Sequence, residues 1–311
     1  MPSPPRLDIE AEAAPVLAEV GQCYRQAGES RVMPTPSEKT VAAVLCGVGF
    51  AVTHIPTAEP LKRADLRAEK ANEGHVIEVK TKDDDPVAIE RHRKTLVTEG
   101  EAMRSTPMGR TNTMSGVFRE AADQLRATPC QPSDFKLIWF MAIGRDQDVQ
   151  VQQFQDTLYG TVPIIVPTAL APGAPPPQGS QAQYKPTLIP CYFYGFNEFF
   201  AASDIDGAVV GMDAGYRLCV NSHGHRAAEF RRTKLHELFA CHKHHRAVVD
   251  PTVSEANGEA FIADCDIDRR NETQVLQYVR QKYGLDRHAI PFHGTTHIAE
   301  AIVLPPCSMK P

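Results

Sequence analysis

Apolar residues recur at two different periods along this chain, and the switches between them mark out its elements. Val41 and Leu45 keep helical spacing behind Thr35-Pro36-Ser37-Glu38, which predicts a helix at about 37–47 opened by a capping box with proline in its first turn. After Gly49, Phe50–Ile55 reads as a short strand. Residues 64–82 then alternate, with Val76, Glu78 and Lys80 against Ile77, Val79 and Thr81, the period of a strand with two unlike faces. Ala71-Asn72-Glu73-Gly74 supplies turn chemistry, so this stretch is expected to be a hairpin. A loop centred on Asn72 and Glu73 sets Lys80 opposite Asp65 and Glu78 opposite Arg67. Asp65 is then diagonal to Glu78, roughly 7–8 Å away or less. A helix containing Phe118–Leu125, the apolar strand Phe135–Ile143, and a helix and strand over about 147–166 follow.

The pattern then breaks. Residues 167–186 are rich in proline, glycine, alanine and glutamine and predict a flexible or extended linker. Beyond it the spacing predicts strands at Leu188–Tyr194, Ala208–Val210 and Tyr216–Val220, a helix around Ala228–His242 and a strand at Ala260–Ile267. Asn271-Glu-Thr-Gln274 resembles a capping box, with its helix running to about Tyr283. The expected organisation is therefore 1–166 (an N-terminal helix near Pro15–Ala27 plus an α/β core), the linker 167–186, and a C-terminal α+β region at 187–311. Residues 99–115 show no period and are expected to form a mobile loop near the hairpin.

Chemistry concentrates on the hairpin. In the register above, Asp65, Glu78 and Lys80 share one face. Two carboxylates and an ammonium that close are a poor way to stabilise a sheet and a natural way to hold a hard cation beside a phosphate. The bland alternative is a cross-strand ion-pair ladder with Arg67. Glu38 lies on the core-facing stripe of its helix and is equally a capping-box residue. Gln124 shares a helix face with Val117, Ala121 and Ala127 and points toward the sheet, unless it is a surface residue beside Leu125. Asp83-Asp84-Asp85 reads as a solvated turn.

Asp65 followed by Glu78-Val79-Lys80 on an apolar strand resembles the PD-(D/E)XK, or restriction-endonuclease-like, nuclease superfamily. The order helix, strand, hairpin, Gln124-Leu125 helix and buried strand is similar over about 37–145, with Ala64 in place of the family's proline. The resemblance implies an α/β fold with a mixed central sheet flanked by helices, and a phosphodiester hydrolase. Mg²⁺ or Mn²⁺ would be held by Asp65, Glu78, the carbonyl of Val79 and Glu38, with Lys80 and Gln124 acting on the substrate. The implied partner is nucleic acid, DNA before RNA, in a restriction or anti-phage setting. An inactive interaction or nucleic-acid-binding protein on the same fold is the alternative, and it would be expected to lack one of Asp65, Glu78 or Lys80.

Composition changes this picture little. A net charge of −5 gives no global attraction for nucleic acid, so any contact rests on local patches such as Arg91-His92-Arg93-Lys94 or Arg231, Arg232, Lys234, Lys243 and Arg246. The eight cysteines form no C-x-x-C pair and read as reduced thiols. No apolar run approaches the ~20 residues of a membrane span. The first residues lack the basic start and apolar stretch of a signal peptide, so a cytoplasmic location is expected. The pairs His223/His225, Cys241/His245 and His293/His297 offer a rival zinc-stabilised adaptor, although their spacing matches no zinc signature. Walker-type, G-x-G-x-x-G and G-x-S-x-G motifs are absent from the sequence.

Overall fold

The computed structural model describes residues 34–56, 62–166, 187–193, 197–212, 215–241, 246–264, 272–285, 289–292 and 294–301. The helix expected near 15–27, the linker at 167–186, and His245 and His293 lie outside the described residues. In chain order the elements begin α1 (Pro36–Gly47), β1 (Ala51–His54), β2 (Leu66–Lys70), β3 (Glu73–Lys82), α2 (Pro86–Glu99), β4 (Glu101–Pro107) and α3 (Asn112–Ala127). They continue β5 (Phe135–Ala142), α4 (Gln147–Tyr159), β6 (Val162–Val166), β7 (Thr187–Phe193), α5 (Glu198–Ala201), β8 (Gly207–Met212) and β9 (Gly215–Val220). The last are α6 (Ala227–Phe230), α7 (Lys234–Ala240), β10 (Arg246–Val249), α8 (Pro251–Ala256), β11 (Phe261–Ala263), α9 (Glu272–Tyr283), β12 (Ile290–Pro291) and β13 (Thr295–Ala301). No described helix is long and apolar enough to cross a membrane.

The chain is mixed α/β and forms two compact units, each assembled from separated segments. The first takes the residues up to Thr81, Gly116–Met141 and Ala201–Asp250; the second takes Lys82–Ser115, Ala142–Phe200 and Pro251 onward. A division at 167–186 is therefore not the one the contacts draw. The reason is strand pairing: β8, β9 and β10, from beyond the proline-rich segment, complete the sheet that β1, β2, β3 and β5 begin.

That sheet is the body of the first unit. Its order is β1-β2-β3-β5-β8-β9-β10, with antiparallel pairs at β1–β2, β2–β3 and β8–β9 and parallel pairs at β5–β8 and β9–β10. β3 and β5 are central, and Gly74–Glu78 is buried without interruption, as expected where both faces are covered. One face packs Leu66, Ala68, Ile77, Leu137, Trp139, Val209 and Leu218 against Val41 and Leu45 of α1 and Leu235 and Phe239 of α7. α3 buries Phe118, Ala121, Ala122 and Leu125, and through Gln124 it reaches the face that carries Glu78 and Lys80. The helix expected over 228–242 is two short ones, because Thr233 restarts it: its hydroxyl accepts from His236 N as an N-cap.

The hairpin register differs from expectation by two residues. Lys70 pairs with Glu73, so the loop is Ala71–Asn72, and both take positive φ (50° and 66°) as a two-residue type I′ turn requires. Leu66 pairs with Ile77, and one further step puts Asp65 beside Glu78 rather than diagonal to it. A shift of two residues preserves side-chain direction, so the expected face survives. Ala71 sits where a Cβ is unfavourable. Ala71→Gly is expected to raise stability by about 0.5–1 kcal/mol in denaturant unfolding. A lower midpoint would show that this residue is not held at positive φ.

The second unit contains the four-stranded sheet β11-β7-β6-β12 and the ribbon β13-β4. Residues 101–107, expected within a mobile loop, are thus a strand. Its partner lies nearly 200 positions away, with Glu101 opposite Ala301, and no local pattern announces such a pairing. The aspartate run resolves into caps: Asp85 accepts from Val87 N at the start of α2, and Asp84 accepts from Arg145 N and Gln150 Nε2 at the start of α4.

Candidate active site

Asp65, Glu78, Lys80 and Gln124 converge within the first unit. Asp65 precedes β2, and its Oδ2 accepts the Val79 N–H at 2.8 Å, which fixes the carboxyl across the hairpin. Glu78 is only 2% exposed, and Lys80 Nζ lies 3.0 Å from its Oε1. The same ammonium donates to Gln124 Oε1 at 2.5 Å and to Glu120 Oε1 at 3.1 Å. Its three donors therefore have three acceptors, and the long side chain is held in one place.

Glu120 is the residue the sequence reading missed. It stands one helical turn before Gln124, on the same face of α3, and the (i, i+4) spacing could have signalled it. It is more than half exposed, and Lys62 approaches it at 3.6 Å.

The electrostatics are unbalanced. Burial, reinforced by the neighbouring Asp65 charge, pushes the Glu78 carboxyl up to about 8. Burial also raises Asp65; the Val79 N–H opposes the rise and the charge of Glu38 adds to it. Burial works against the Lys80 charge, but Glu78 and Glu120 outweigh it and leave Lys80 above its ordinary value. The Lys80 hydrogen bond holds Glu120 below its usual range. Lys80 is thus the group held charged, and Glu78 is the one whose ionisation is suppressed. Glu78 Oε2 is buried and receives no N–H or hydroxyl donor, but Glu78 and Asp65 are within side-chain hydrogen-bonding reach of each other once one of the two carboxyls carries a proton. Two adjacent carboxyls served by one shared ammonium can be balanced by a proton held between them or by a cation.

The remaining expected ligands behave differently from one another. Val79 follows Glu78 on β3, and its side chain packs against the hydrophobic core. Glu38 fills the capping box, accepting from Thr35 Oγ1 at 2.8 Å while its backbone N–H donates back to Thr35 at 3.2 Å. Its other oxygen lies 3.6 Å from His54 Nδ1. Glu38 reaches Asp65 through its charge rather than as a neighbouring oxygen. Among the described residues, no three His, Cys, Asp or Glu side chains gather as a preformed metal cage.

Four residues of the basic patches on which nucleic-acid contact would rest already have acidic partners. Arg231 makes a two-pronged pair with Asp250, Lys234 pairs with Glu237, and Arg93 and Lys94 both approach Glu90. His225 Nε2 is engaged by Ser203 Oγ at 2.9 Å. Comparison with protein-family models, with curated proteins and with solved structures gives no match.

Proposed function

We propose that this protein is a divalent-metal-dependent nuclease with a restriction-endonuclease-like core, hydrolysing phosphodiester bonds in DNA in preference to RNA. One observation carries the reading: Asp65 and Glu78 lie side by side across the hairpin, with the Lys80 ammonium 3.0 Å from Glu78. Asp65, Glu78 and the carbonyl of Val79 would hold Mg²⁺ or Mn²⁺, which keeps several waters and needs few protein ligands. When bound, such an ion supplies charge that favours a nucleophilic water and a leaving oxygen.

The chain's own groups do the rest. Asp65 is kept in place beside Glu78 by the Val79 N–H. Lys80 Nζ orients the attacking water and stabilises charge on the phosphoryl oxygens, and must release one of its three acceptors to do so. Gln124 and Glu120 keep that ammonium aimed at the site between turnovers. Glu78 holds a proton near neutral pH and gives it up when positive charge arrives.

The burial of Glu78 favours a second reading, in which the cluster is only a structural ion pair on a non-catalytic interaction protein. Labelled DNA and RNA incubated with the protein in Mg²⁺, Mn²⁺ or EDTA separate the two. The nuclease reading expects strand cleavage in either metal and none in EDTA. Intact substrates under every condition would favour the interaction protein.

A further inference from the structure

An ammonium has three N–H donors, and Lys80 spends all of them inside the protein: on Glu78 Oε1 at 3.0 Å, Gln124 Oε1 at 2.5 Å and Glu120 Oε1 at 3.1 Å. A substrate oxygen can be served only when one of these acceptors leaves. The three are not equally easy to displace. Glu78 lies in the buried run of β3, and withdrawing the cation would leave a buried carboxyl facing Asp65, the costly way to break an ion pair. Gln124 is partly buried, and its bond is the shortest of the three. Glu120 has a side chain 56% exposed, so water can take up its oxygens as it moves away. Exposed pairs of this kind contribute little.

The surroundings of Glu120 give it somewhere to go. It stands one turn before Gln124 on α3, and both reach the same ammonium from one helix face. Its Oε1 also lies 3.6 Å from Nζ of Lys62, an exposed side chain. A carboxylate that leaves Lys80 therefore keeps a cation beside it at the surface. The hydrogen bond from Lys80 holds Glu120 below the usual carboxylate range, so the group is an anion at neutral pH. The third donor of Lys80 is thus occupied by an exchangeable oxyanion, the same kind of acceptor that a phosphoryl oxygen offers.

We infer that Glu120 is a built-in competitor for the substrate: a phosphodiester reaches Lys80 by displacing the Glu120 carboxylate, which moves to Lys62 and water. Glu78 and Gln124 keep the ammonium in place through the exchange. The inference rests on the nuclease reading in taking the incoming anion to be a phosphodiester. Glu120 then controls entry to the site and takes no part in the reaction itself. Its removal should tighten substrate binding. A residue that did nothing but aim the ammonium would, on removal, lower the cleavage rate and leave binding no tighter.

The test uses the intact chain and reads two quantities. One is the half-saturating concentration of labelled duplex DNA for single-turnover cleavage in Mg²⁺. The other is the affinity for inorganic phosphate, titrated calorimetrically without metal. Glu120→Gln removes the charge and keeps the length, whereas Glu120→Asp keeps the charge and falls one methylene short of the contact. Asp123→Asn removes an exposed charge from the same helix, one that pairs with Arg126 instead of Lys80. Circular dichroism checks that each variant is folded. Glu120→Gln is expected to lower the half-saturating DNA concentration and the phosphate dissociation constant by about 3–10-fold. Glu120→Asp should lower both by about 2–5-fold, and Asp123→Asn should change neither by more than about 2-fold. The inference is overturned if Glu120→Gln leaves both quantities unchanged or raises them, or if Asp123→Asn matches it. If the wild type cleaves no DNA yet Glu120→Gln binds phosphate more tightly, the nuclease reading falls and the displacement stands. If the wild type cleaves and neither quantity responds to Glu120→Gln, the inference alone falls.

Discussion

Lys80→Met is expected to reduce phosphodiester cleavage by about 10²–10³-fold while leaving nucleic-acid binding intact. The size follows from what the ammonium would do. A preorganised charge aimed at a developing oxyanion typically contributes that much to rate, because the site need not reorganise as the reaction proceeds. Methionine keeps the stem that packs beside α3 and removes the charge, so lost packing is separated from lost chemistry. Glu78→Gln should also abolish cleavage and should in addition weaken Mg²⁺ binding, since an amide is a poorer ligand for a hard cation. Rates measured under single-turnover conditions, with Mg²⁺ titrated by calorimetry, distinguish the two roles. If the wild type cleaves and Lys80→Met cleaves equally fast, the assignment of Lys80 is wrong.

Two buried ionisable groups three residues apart on β3 should give stability opposite pH dependences. His75 is 1% exposed, packed between Phe50 and Phe135 at ring distances of 5.6 and 5.5 Å, with neither ring nitrogen hydrogen-bonded. Burial lowers its pKa from 6.5 to about 4. Between those values the unfolded chain is protonated there and the folded one is not, so stability falls as pH falls. Glu78 behaves in the reverse sense. Its pKa rises from 4.5 to about 8, the folded state carries the extra proton, and stability falls as pH rises through that window. Each slope is about 1.4 kcal/mol per pH unit.

The two slopes cancel between the unfolded values, so the pair together contributes a plateau from about pH 4.5 to 6.5. Single variants should expose the parts. His75→Phe should lose about 4 kcal/mol relative to its acid value as pH rises from 4.5 to 8, the contribution of Glu78. Glu78→Gln should gain about 3 kcal/mol as pH rises from 4 to 6.5 and level off above that. Urea unfolding across this range provides the measurement. Added Mg²⁺ should lift the wild type's alkaline loss and leave Glu78→Gln unaffected. Parallel pH profiles for both variants and the wild type would show that neither group is buried as described.

Much of the candidate site was legible because it is local. The hairpin places Asp65, Glu78 and Lys80 within 16 positions, and strand alternation alone assigns their common face. The exact pairing was not legible: Ala71 is an unusual residue for positive φ, so the turn was placed one residue late, and the register moved by two. Helices α1, α3 and α9 announced themselves through caps and apolar stripes. α2 did not, because none of its residues is buried and it carries no core-facing stripe to read. The pairings of β4 with β13 and of β5 with β8 depend on segments far apart in sequence, which no window of neighbouring residues can specify.

The assembly of the central sheet has a consequence for synthesis. A ribosome that has released the first 166 residues has already made the acidic hairpin and β5, including the fully buried Trp139 and Phe140. β5 still has one open side, because its neighbour β8 begins only at Gly207. Until then the nascent chain carries an apolar, unpaired strand edge, the kind of surface that recruits chaperones or other chains. Cutting the gene after residue 166 should therefore yield insoluble protein rather than a minimal enzyme.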